Sequence, residues 1–180
     1  MPPKKAAQRR DRKHTLQEDL LTALKSIGDA TKSANEKDEE IFPILREALS
    51  EGVDPNLFTK SGVPLLCFFA WRAMTRCFDE CLLLGGDPLL QMSEHDALYW
   101  CLDGTFNASS QTAYRMVTIL LNQKTAFDLD FFAAVEVALE NGFLSSVEKL
   151  LANEPSSDGS LATYVLEEGL YRRNEQVALA

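Results

Sequence analysis

The chain has 180 residues, 18 basic and 27 acidic, for a formal net charge of −9, and 46% of it is hydrophobic. That apolar share excludes a wholly disordered chain, and 7 Pro with 9 Gly exclude collagen-like and low-complexity classes. No apolar run approaches the roughly 18 residues that a transmembrane helix needs, so no transmembrane helix is expected, and a membrane is not among the expected partners.

The basic N-terminus lacks the apolar stretch of a signal peptide, which leads us to expect a cytoplasmic or nuclear protein. The charge is unevenly spread. Residues 1–14 hold six basic residues (Lys4, Lys5, Arg9, Arg10, Arg12, Lys13) against one acid, whereas residues 15–180 hold 12 basic and 26 acidic, a net −14. With no apolar period, 1–14 reads as a disordered basic tail. Such a tail suits nuclear import or nucleic-acid binding, contact with anionic lipid, or docking on the chain's own acidic body.

Thr15 and Glu18 have the spacing of a capping box, followed by Leu16, Leu20, Leu21, Leu24 and Ile27 at helical spacing, and Gly28-Asp29 as a stop. The polar segment 29–40 reads as a loop, and Phe42-Pro43 as the start of a second helix whose stripe is Ile44, Leu45, Ala48 and Leu49. Apolar residues keep helical spacing throughout and alternating β-branched runs are missing, so the expected fold class is all-α, built of short helices joined by turns. A bundle and a repeat solenoid both fit such a pattern, and an internal repeat separates them.

A repeat is present. Gly52-Val53-Asp54-Pro55 after one helix and Gly85-Gly86-Asp87-Pro88 after another are 33 residues apart. At that offset Ile44, Leu45, Ala48 and Leu49 match Cys77, Phe78, Cys81 and Leu82. Gly62-Val63-Pro64-Leu65-Leu66, ten residues after Gly52, completes a glycine, proline-leucine, helix order. On these residues the chain resembles the ankyrin repeat family, whose units run G-x-T-P-L-H, helix, turn, helix ending L-L, then G-A-D-x-N.

A weaker unit has Ala97–Leu102 and Met116–Leu121 as its helices, with an insertion at Thr105–Gln111. A clearer one has Val135–Gly142 and Val147–Leu151, and 161–180 reads as a degenerate last pair. The resemblance implies an ankyrin-like helix-turn-helix repeat solenoid of four to five units over 15–180. It also places Phe68, Phe69, Phe78, Leu82, Trp100, Val117 and Leu150 between units.

Chemistry-bearing residues are sparse. Cys67, Cys77, Cys81 and Cys101 lie inside apolar stretches without zinc-site spacing, so they read as reduced core residues, and no metal or cofactor is expected. His95 stands between Glu94 and Asp96, but no nucleophile elbow, P-loop or dinucleotide fingerprint accompanies it, so the chain reads as a non-enzyme. The resemblance implies protein binding through finger turns and first-helix ends. The matching positions are Leu57, Phe58 and Lys60, then Gln91, Met92 and Glu94, with Trp71, Arg72, Asp103 and Glu140 at the helix ends. Phe58 and Trp71 are the aromatic anchor candidates. Glu94, Asp96, Asp103, Asp128, Asp130, Glu136 and Glu140 form an acidic edge suited to a basic partner. The expected function is therefore that of an adaptor, inhibitor or effector. The alternative is a nucleic-acid-associated or nuclear complex subunit acting through residues 1–14.

Overall fold

The structure is a computed structural model that describes residues 3–27, 32–103, 109–123, 128–154 and 159–168; at residues 3–7 it describes the backbone alone. Among the described residues the fold is helical, with two isolated bridges, Phe58–Pro64 and Met92–His95, and no strand. The helices are α1 (Pro3–Ser26), α2 (Ala34–Ser50), α3 (Leu65–Trp71), α4 (Thr75–Leu83), α5 (Ala97–Leu102), α6 (Ser110–Leu121), α7 (Phe131–Glu140), α8 (Leu144–Leu151) and α9 (160–168). No helix among the described residues is long and apolar enough to cross a membrane.

Two element assignments read from the sequence are corrected. The basic segment is not irregular: α1 runs unbroken from Pro3 through the 14/15 boundary. Thr15 therefore lies inside a helix, where its hydroxyl donates to the Asp11 carbonyl instead of capping an N-terminus. Ala6, Ala7, Gln8 and the arginines are good helix formers, and Arg12 reaches Glu47 and Glu51 of α2 at 3.5 and 3.3 Å. The polar stretch before Phe42 is not a loop either. Helix α2 starts at Ala34 behind the true capping box, in which the Ser33 hydroxyl accepts from Glu36 N–H while the Glu36 carboxylate accepts from Ser33 N–H. Pro43 thus lies inside α2, on its exposed side. The stop at Gly28-Asp29, most of the Thr105–Gln111 segment and residues 169–180 lie outside the described residues.

The turns after the helices close alike. Gly52 N–H donates to Leu49 O and Val53 N–H to Ala48 O; Gly85 donates to Leu82 O and Gly86 to Cys81 O; Gly142 donates to Leu139 O and Phe143 to Ala138 O. This is the Schellman pattern, which puts the first residue of each pair in the left-handed region, at φ 84°, 97° and 70°. Ala73 closes α3 in the same way at φ 56° without the freedom of glycine. Asp54 and Asp87 then each accept a hydrogen bond from the backbone N–H two residues on, at Asn56 and Leu89. Gly86 is needed for a different reason: a Cβ there would stand 2.8 Å from the Cys81 carbonyl oxygen.

Packing follows a simple order. Helix α1 packs on α2, α2 on α4, α4 on α6 and α6 on α8, while α3 packs on α5 and α5 on α7; within pairs, α3 meets α4, α5 meets α6 and α7 meets α8. The core lies between the two rows and includes Leu20, Ile41, Leu45, Phe69, Phe78, Leu98, Met116 and Leu120. All four cysteines are buried in it, as their apolar surroundings predict. Burial raises the thiols of Cys67 and Cys81 to about 12, with Asp96 and Asp54 adding to it, and pushes those of Cys77 and Cys101 well above the ordinary thiol value. These thiols stay protonated and unreactive.

Polar ties join successive pairs. Asp38 of α2, only 4% exposed, accepts from Arg76 N–H at 2.7 Å and Cys77 N–H at 2.9 Å, capping α4 from another helix. Asn56 donates to Gly85 O and accepts from Asp87 N–H, linking the two glycine turns. Asn141 donates to Leu102 O across the next step.

Candidate interaction surface

The face formed by α3, α5 and α7 carries the aromatic residues. Phe68 and Arg72, Tyr99 and Asp103, and Phe132, Glu136 and Glu140 are spaced four apart, so each set shares one helix face. Because α3 packs on α5 and α5 on α7, the three helices stand side by side. Trp71 meets Trp100 edge-on at 6.3 Å, Trp100 meets Tyr99 at 5.2 Å, and His95 stacks on Tyr99 at 3.8 Å with 9° between the planes. The Trp100 indole N–H donates to the carbonyls of Met92 and His95, which ties this array to the second finger turn. On α7, Phe132, 47% exposed, meets Tyr164 of α9 at 6.0 Å.

The two fingers differ in build. In the first, Thr59 N–H donates to Val63 O and Leu65 N–H to Leu57 O, and the Phe58 ring stands out 49% exposed. In the second, Met92 and His95 exchange both backbone hydrogen bonds across Ser93 and Glu94, at φ 53° and 70°. Two successive left-handed residues make a tight hairpin turn that ordinarily calls for Asn-Gly. This turn is thus strained, and it presents Glu94 to solvent.

Electrostatics change sign along the face. At the α1 end a groove of about 360 Å³ is lined by Leu21, Leu24, Phe68, Lys25 and Lys60, with Lys60 3.7 Å from Glu18. Arg72 holds its Cζ 4.7 Å from the Trp71 ring centroid and 5.7 Å from that of Phe68, and burial lowers its pKa. On α5 and α7 the charges become Asp103, Glu136 and Glu140. Burial first, then the charges of Asp103, Glu140 and Glu136, push the Tyr99 phenol above its ordinary value of 10.0.

Trp71, Arg72, Met92, Asp103 and Glu140, singled out from the sequence, fall on this face or its rim. Phe58 and Lys60 sit on the first finger, Leu57 is half-buried against the core behind it, and Gln91 and Glu94 are exposed on the second. The basic residues Arg9, Arg10, Arg12 and Lys13 lie exposed on α1, while the side chains of Lys4 and Lys5 lie outside the described residues.

Two readings are corrected. Trp100, placed in the core from the sequence, is half-buried within the aromatic array because its indole N–H is drawn to the finger carbonyls. Asp96 is no part of an acidic edge. It is 4% exposed, caps α5 through Leu98 and Tyr99 N–H, and accepts from Asp130 N–H at 2.8 Å. Asp130 in turn caps α7 through Ala133 N–H. Tyr99 and Phe132 were missed, although their spacing to Asp103 and Glu136 was visible. No set of His, Cys, Asp and Glu among the described residues could hold a metal ion. Compared with protein-family models, curated proteins and solved structures, the chain matches none.

Proposed function

We propose that the chain is an ankyrin-like stack of helix-turn-helix units that works as a non-enzymatic protein-interaction module, as an adaptor, inhibitor or effector. The observation that carries the reading is the face of α3, α5 and α7. Trp71, Tyr99 and Trp100 form a contiguous half-buried aromatic array there, and Phe58 stands out on the first finger. Aromatic and arginine residues on a rigid face are the side chains that dominate binding hot spots. The glycine turns recurring 33 residues apart and the two packed rows of helices support the repeat architecture. A stack of this kind holds a surface in place without a catalytic cleft.

The test is in-cell cross-linking and affinity purification with wild type, Phe58→Ala, Phe58→Ala/Trp71→Ala, and a control pair on the opposite row, Tyr114→Ala/Leu144→Ala. Partners are expected to be lost with the face variants and kept with the control, while circular dichroism shows all variants folded. Equal recovery with every variant would rule out this face as the binding surface.

A further inference from the structure

Each of the three helices of the aromatic face carries an aromatic residue with a charged residue four positions on. On α3 the aromatic residue is Phe68, and four residues on stands Arg72. On α5 the same spacing holds Tyr99 and Asp103, and on α7 it holds Phe132 and Glu136, with Glu140 one turn further. At α3 the chain supplies its own cation, since the Arg72 guanidinium lies over Trp71 and Phe68. On α5 and α7 the residue four positions after the ring is a carboxylate instead. Neither Glu136 nor Glu140 has a cationic partner within ion-pair distance among the described residues, and both are exposed. The phenol of Tyr99 lies within the field of Asp103, Glu140 and Glu136 together.

Aromatic rings beside carboxylates make a site complementary to a cation. A guanidinium fits better than an ammonium, because its planar fork hydrogen-bonds a carboxylate at two points while its face lies on a ring. The same chain already holds guanidinium on aromatic rings twice, at Arg72 and again at Arg76, whose Cζ is 4.1 Å from the Phe42 centroid.

We propose that the patch of Tyr99, Trp100, Asp103, Glu136 and Glu140 receives an arginine side chain of a partner protein. This rests on the reading of the face as a protein-binding surface and names what that surface selects. The guanidinium pairs with the carboxylates of α5 and α7 and lies against the Tyr99–Trp100 edge. The contact chooses among partners and sets their register, while the neighbouring aromatic residues supply most of the affinity.

The probe is an acetylated Gly-Gly-Arg-Gly-Gly amide, with the citrulline peptide as its uncharged isostere, titrated into the full chain and followed by NMR. Saturable shifts are expected at the Tyr99 ring and the Trp100 indole N–H, with Kd on the order of 1 mM, as befits one side chain. Glu136→Gln/Glu140→Gln, both exposed, is expected to weaken binding at least about fivefold, and Glu39→Gln/Glu148→Gln, an equal charge change elsewhere, to leave it unaltered. Equal shifts with the citrulline peptide, wild-type affinity in the Glu136→Gln/Glu140→Gln chain, or no saturation by about 20 mM, well above the expected constant, would each overturn the proposal. If the arginine probe fails while partner capture still depends on Phe58 and Trp71, the arginine site falls and the binding module stands. If capture is also indifferent to Phe58 and Trp71, both fall.

Discussion

Asp38 is the most consequential single residue outside the surface. It belongs to α2, yet its carboxylate satisfies two of the first N–H groups of α4, a helix whose own N-cap residue, Met74, offers no side-chain acceptor. Replacing Asp38 with Ala leaves both donors without this acceptor, the Cys77 N–H in a buried position. We expect Asp38→Ala to cost about 2 kcal/mol in urea denaturation, and Asp38→Asn, which keeps one acceptor oxygen, to cost less. Nothing at position 38 signals this role, because the donors lie 38 and 39 residues away. The cysteines are the opposite case. Their apolar neighbours in sequence are also their neighbours in space, so burial was legible from the sequence.

At the scale of elements, α2 shows how a local signal is overlooked. Its first turns, Ala34 to Glu40, hold no apolar residue after Ala34, so hydrophobic periodicity misses them, while Ser33 and Glu36 carry the capping-box spacing. The two hydrogen bonds from Ser33 hold the Glu36 carboxyl below its ordinary value of 4.5. A lowered carboxyl pKa in the folded state means that the stabilisation is fully present above 4.5 and is lost as pH falls through the folded value. The thermal midpoint of wild type is therefore expected to exceed that of Glu36→Gln at neutral pH, with the gap closing below pH 4.5. A gap constant down to pH 3, about a unit and a half below the ordinary value, would show that the cap does not depend on the carboxylate.

At the scale of the whole molecule, the uneven charge has a structural outcome. The basic segment continues α1 as a helix and reaches the acidic side of α2 through Arg12. That contact holds the two helices weakly, since the Arg12 side chain is 59% exposed and its partners Glu47 and Glu51 are 56% and 29% exposed. Arg12→Ala is expected to lower stability by less than about 1 kcal/mol, and by less again in high salt, which screens exposed pairs. A loss of several kcal/mol by calorimetry would mean that the basic segment is an integral part of the packed rows. The aromatic face also belongs to this scale. Each helix contributes at least one ring and one charge, and only packing α3 on α5 and α5 on α7 brings these short patterns together.

By itself the sequence determined the helical class, the glycine-aspartate-proline turns and the burial of the cysteines. Each of these depends on residues within a few positions of one another, where spacing and backbone preference act directly. Only the tertiary structure decided that Asp38 caps a helix beyond its own, that Asp96 also accepts from Asp130 N–H, that Trp100 stays half-buried with its indole N–H on the finger carbonyls, and that Tyr99 lies in the field of Glu136 and Glu140. Those relations join atoms more than 30 residues apart, or set one hydrogen bond against the burial of a ring. Packing, and not local spacing, decides such contests.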